Sequence, residues 1–148
     1  MKHYALVVLF FSVGFGQMLE VDSILFPGTW TNPESIFVSD DCYAIPAGTQ
    51  DNMTLSIADP VDTLNPTLDS VKVYLEQHVS DPTKGFWYII PIINGIPGTT
   101  TLEQAGSLAD SLLCFDISGD ITGWADLIGL SIDLYPLKGA GAPPQWYA

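Results

Sequence analysis

The chain is predicted to be all-β, a single antiparallel β-sandwich with room for one short helix. Three observations lead there. Several short segments alternate apolar and polar residues with a period of two, which sets one face against a core and the other in water. Thirteen glycines and eleven prolines are scattered through 148 residues without repeat, the pattern of many turns between short strands. An apolar share of 47 % with 14 % charged residues supports a packed core in one domain of this length and argues against disorder.

Residues 1–16 form a hydrophobic N-terminal segment with two readings. Met1-Lys2-His3 precedes Tyr4 to Gly16, a run of apolar and small residues broken only by Ser12. A basic start, an apolar stretch and a small-residue end describe a secretory signal cut before Gln17. The alternative is a buried strand over Leu6 to Phe11. The run is shorter than the ~20 apolar residues that cross a bilayer, so no transmembrane span is expected.

Residues 17–138 carry the sandwich. Leu19 to Phe26 and Ile36 to Val38 are expected as short strands. Met53, Leu55 and Ile57 alternate with polar residues and stop at Asp59-Pro60. Ser70 to Val79 is the clearest strand: Val71, Val73, Leu75 and Val79 share one face, and Lys72, Tyr74, Glu76 and His78 the other. Leu112 to Ile117 is mostly apolar, and Leu130, Ile132 and Leu134 alternate with Ser131, Asp133 and Tyr135. The helix candidate is Thr101 to Leu113, where Thr100 or Thr101 would cap and Leu102, Ala105, Leu108, Ala109 and Leu112 have helical spacing. Gly106 interrupts it.

Two segments point to assembly. Phe86 to Ile93 is apolar throughout, and Asn94-Gly95 behind it is a strong hairpin-turn signal. Pro91 has no N–H for a sheet ladder, so this strand is expected at an edge or with a bulge. An apolar edge left open aggregates, so either the chain's own loops or a neighbouring copy must cover it. Residues 139–148 form a tail, a Gly-Ala-Gly-Ala-Pro-Pro spacer leading to Trp146 and Tyr147. Those aromatics are expected either to fold back on their own sandwich or to dock on another surface. The candidate assembly contacts are Phe86, Trp87, Ile89, Ile90, Ile92, Trp146 and Tyr147.

Trp30-Thr31-Asn32-Pro33 followed by Ser39-Asp40-Asp41-Cys42-Tyr43-Ala44 resembles the N-terminal motif of a loosely defined group of β-sandwich proteins. In that group a W-x-N-P…DD-x-Y-A segment precedes a series of short strands, and members are frequent among phage and prophage structural proteins. The resemblance implies a jelly-roll-like sandwich and a structural or surface role, with no catalytic residues to carry over. The long hydrophobic start and Cys42 inside the motif are departures from the pattern. Physically, Trp30 reads as a core or loop-anchoring aromatic and Asn32-Pro33 as a turn.

Charge and chemistry narrow the function. Seventeen acidic side chains face four lysines, no arginine and two histidines, for a net charge of −13. That removes the usual anchors for phosphate and nucleic acid, and repels anionic membranes. Few groups remain for acid/base work near neutral pH, so no enzyme is expected. His78 has no nucleophile-elbow motif to serve, and paired carboxylates for glycoside hydrolysis cannot be picked from so many acids. Cys42 and Cys114 are a candidate disulfide in an exported protein; as retained thiols they would act as small hydrophobes. Two cysteines and one usable histidine make no zinc site. Asp40 and Asp41, or Asp116 and Asp120, offer oxygens to Ca²⁺, but without an EF-hand spacing they read first as turn chemistry, and no cofactor is expected. Asn52-Met53-Thr54 is a formal glycosylation acceptor, relevant to a eukaryotic secreted protein, whereas Asn65-Pro66-Thr67 is excluded by its proline.

Two functions fit. The first is a non-enzymatic structural protein of a particle or filament surface, a virion decoration or tail component. It would be extracellular or on the virion, binding copies of itself and other structural subunits. The second is a secreted carbohydrate-binding module, with Trp87, Tyr88 or Trp124 stacking on sugar rings.

Overall fold

A computed structural model describes residues 19–37, 44–48, 51–61, 68, 70–79, 85–104, 111–138 and 146–147. The N-terminal segment, Val38 to Tyr43 with Asp40, Asp41 and Cys42, the Asn65 tripeptide, and the spacer before Trp146 lie outside them. The described chain is all-β, with two antiparallel sheets and two short 3₁₀ turns.

The larger sheet runs β1(Val21–Phe26), β2(Met53–Ile57), β8(Ser131–Lys138), β4(Gly85–Ile93) and β5(Ile96–Pro97), and β6(Thr101–Gln104) also pairs with β4. The smaller sheet is β7(Ser111–Asp116), β3(Lys72–Val79) and β9(Trp146–Tyr147). Period-two alternation does what it should. Met53, Leu55 and Ile57, Trp87 and Ile89, and Ile132 and Leu134 point inward from the larger sheet to meet Val73, Leu75, Leu113 and Phe115 of the smaller one in a single core. Gln77 is a polar residue within that interior. It is 1 % exposed and accepts a hydrogen bond from Trp87 Nε1 at 3.2 Å, tying the two sheets together.

Three expectations need correction. The apolar strand, β4, is not an edge: β8 lies along one side of it, and β5 and β6 share the other. Pro91 is tolerated there because of where its missing N–H points. Pro91 pairs with Ile132 of β8, yet its carbonyl accepts Gly98 N–H at 2.7 Å on the opposite side. The N and C=O of a strand residue point the same way, so the absent donor falls in the gap between β5 and β6 and the β4–β8 ladder loses nothing. Pro136 of β8, paired with Trp87 four residues along the same ladder, occupies an equivalent position.

The second correction concerns Thr101 to Leu113. Its first residues are β6 and its last begin β7. Leu102 and Leu112, expected on a buried helical face, are 51 % and 62 % exposed on strands. Pairing of Thr101–Gln104 with β4 outweighs a helical pattern already weakened by Gly106 and adjacent threonines. The third correction is at Pro33–Phe37, which is a 3₁₀ turn where a strand from Ile36 was expected. Asn32 at φ +51° reverses the chain, and its carbonyl accepts Ser35 N–H at 3.0 Å.

The Asn94-Gly95 hairpin forms as anticipated. Both residues have positive φ, +52° and +78°, the signature of a two-residue turn that matches strand twist. Trp30 anchors its loop: it is 6 % exposed, its ring centroid lies 6.0 Å from that of Trp87, and its Nε1 donates to the Asp51 carbonyl at 2.9 Å.

Candidate functional site

The feature that stands out is the outer face of β4 and β8. Residues directly opposite in an antiparallel pair share a face, so register alone assigns its members. Phe86 lies opposite Leu137, Tyr88 opposite Tyr135, Ile90 opposite Asp133 and Ile92 opposite Ser131. Leu102 of β6 continues the Tyr88 row, and Thr54 and Phe26 continue the Asp133 row through β2 and β1. Phe86, Tyr88, Ile90, Ile92, Tyr135 and Leu137 are each half-buried, while Leu102 and Phe26 are exposed.

Tyr88 and Tyr135 are stacked, with ring centroids 4.5 Å apart and planes 4° from parallel. Burial pushes the pKa of Tyr88 above its ordinary value. Tyr135 is raised first by burial, then by the Asp133 charge and the neighbouring Tyr88. Both phenols therefore stay neutral at physiological pH. Asp133 is held by a hydrogen bond from Thr54 Oγ1. It is the one carboxylate at the outward positions of β2, β4 and β8, in a chain that carries 17 acidic side chains. The outward positions of β3 and β7 differ: they include Lys72, Glu76 and Asp116.

The candidate contacts are thus divided. Phe86, Ile90 and Ile92 belong to this outer face. Trp87 and Ile89 are 0 % and 1 % exposed in the core and reach no partner, which also removes Trp87 as a sugar-stacking ring. Trp146 and Tyr147 pair with the end of β3 in their own sheet, and their side chains, like that of His78, lie outside the description. Trp124 is half-buried against the core. Cys114 is a half-buried free thiol on β7, and its candidate partner Cys42 lies outside the described residues. Sequence reading missed Tyr135, Leu137, Leu102 and Phe26 as members of the face. Strand alternation had placed Tyr135 among polar outward residues, but which strand lies beside it follows from sheet order.

The acidic loops are occupied by turn chemistry. Asp116 Oδ1 accepts Ser118 N–H at 2.9 Å, and the Ser118 bonds hold its carboxyl below the usual range. Asp120 accepts from Thr99 N at 2.9 Å and Thr99 Oγ1 at 2.8 Å, joining the β7 turn to the segment between β5 and β6. Among the described residues no cluster of three or more His, Cys, Asp or Glu has the geometry of a metal site, and no helix is long and apolar enough to cross a membrane. Comparison with family models, curated proteins and solved structures gives no match to this chain.

Proposed function

We propose that the protein is a non-enzymatic structural subunit that assembles with copies of itself through the outer face of β4 and β8, on the surface of a particle or filament. The observation that carries this is the contrast between a net charge of −13 and a broad, half-exposed apolar face with one acid. Like-charged chains repel, so the place where two copies can meet at least electrostatic cost is the face depleted of charge. Aromatic and aliphatic side chains are what the centre of such a contact requires. Resemblance of the Trp30 to Ala44 segment to phage-type structural proteins supports a virion or extracellular setting and a jelly-roll order of strands. Ile90→Asp, which adds a charge at a half-buried outward position, is the test. Loss of an oligomer with an unchanged far-ultraviolet spectrum supports the reading, and an oligomer that persists through the substitution opposes it.

A second reading, a carbohydrate-binding module, is favoured by one observation, the stacked Tyr88 and Tyr135 beside Asp133. Tyrosine faces and a neighbouring carboxylate suit a sugar ring. Glycan binding by a monomer, abolished by Tyr135→Ala, would select it.

A further inference from the structure

We infer that self-association through the outer face is proton-linked, each chain taking up a proton at Asp133 as the contact forms; this rests on the assembly reading above and names how that contact is regulated. Asp133 is half-buried on β8, with β2 on one side and β4 on the other, so it falls inside the face and not at its rim. Its cross-strand neighbours are Ile90 of β4 and Thr54 of β2, and Phe26 of β1 lies beyond Thr54 in the same row. A contact centred on Tyr88 and Tyr135 therefore takes this carboxylate out of water together with the apolar side chains around it.

No opposite charge stands beside it. Among the described residues, no lysine occupies an outward position of β2, β4 or β8. The partners of Asp133 are hydroxyls: Thr54 Oγ1 donates to it, and Tyr135 hydrogen-bonds to it from two residues along β8. The other titratable groups nearby supply no cation. β4 brings Tyr88, a neutral phenol. β1 brings Asp22, at the bulge between Val21 and Ser23 and separated from β8 by β2. β6 brings Glu103, which is paired with Trp87 and so shares the opposite face. A charge taken from water without a counter-charge is costly, and a contact between two identical faces brings two such carboxylates together. The protonated carboxyl is neutral, and a hydroxyl accepts as well as donates, so Thr54 Oγ1 remains a partner for it. Association thus favours the protonated form, strengthening as pH falls and weakening as pH rises.

The test is sedimentation equilibrium of the unmodified chain and of Asp133→Asn at fixed ionic strength, from about pH 7.5 to about pH 5, where an ordinary aspartate is still ionised. Asparagine keeps the shape and an acceptor oxygen for Thr54 while removing the charge. Across that range the association constant of the unmodified chain is expected to rise about tenfold or more beyond that of the variant, and the variant to associate more tightly at the upper end. The remaining acids are common to both chains, so the difference isolates Asp133. Equal pH dependence in the two chains overturns the inference. Should Asp133→Asn fail to fold, dilution of the assembled unmodified chain in weakly buffered solution near about pH 6 decides: release of about one proton per chain on dissociation is expected, and no release overturns it. A chain that stays monomeric at every pH and concentration removes the assembly reading along with the linkage. Association that is indifferent to Asp133 removes the linkage alone.

Discussion

Gly28 sits at φ +59°, and a Cβ there would lie 2.2 Å from the Asn52 carbonyl oxygen and 2.8 Å from Asp51 Oδ1. Its neighbours explain the crowding. Asp51 accepts from Thr29 N at 3.1 Å, Thr29 Oγ1 at 2.6 Å and Ala47 N at 3.3 Å, drawing two loops together beside Trp30. Gly28→Ala is expected to cost more than the roughly 1–2 kcal/mol of the left-handed backbone alone, read as a lower urea midpoint. Gln77→Leu leaves the Trp87 indole N–H buried without its partner, at about 1–3 kcal/mol in the same assay. The alkaline limb follows from the raised tyrosines. Folding favours their protonated form, so their share of stability is whole below the ordinary tyrosine value of 10.0 and is lost as pH climbs through the raised folded values. Tyr88→Phe with Tyr135→Phe should flatten the fall in stability above about pH 10. Of these residues, Trp30 as anchor and Asn32-Pro33 as turn were legible in the sequence. Gln77 was not, because a polar side chain inside a strand is explained only by the tryptophan that meets it from another sheet.

At the scale of elements, strands with clean alternation were readable because period two encodes a buried and a wet face directly. β2, β3 and β8 formed close to their expected positions, and the Asn94-Gly95 turn fixed the β4–β5 hairpin. Sheet order was hidden, and the errors at β4 and β6 came from that. Pro91 marks a position where one backbone donor is unused, and a strand interrupted on one side by the β5–β6 gap supplies such a position as well as an edge does. Thr101 to Gln104 takes its conformation from β4, a partner that local spacing does not reveal. The junction itself is tight: a Cβ on Gly98 would meet Asp120 Cγ and Pro91 Cγ, each at 3.0 Å. Asp120→Ala removes both Thr99 bonds and is expected to raise amide exchange at Gly98 to Thr101 while the β4–β8 ladder stays protected.

Across the whole molecule, composition and architecture bear on one another. Seventeen acids make the chain self-repelling, and sandwich geometry collects apolar outward residues of β4 and β8 on one side. Screening by salt weakens repulsion between copies without weakening apolar contact, so association is expected to strengthen between about 0.01 and 0.15 M salt, where the Debye length falls from about 30 to 8 Å. Sequence reading anticipated an apolar assembly surface around Phe86 to Ile93 but placed it along a strand edge. Half of those side chains, Trp87 and Ile89 among them, complete the core instead. The other half needed Tyr135 and Leu137 from β8 to become a surface at all. The most direct test of that surface is sedimentation equilibrium of the unmodified chain over a wide concentration range, beside Ile90→Asp. Self-association that rises with concentration and is abolished by the substitution is the predicted result; a chain that stays monomeric at the highest concentration would contradict the account.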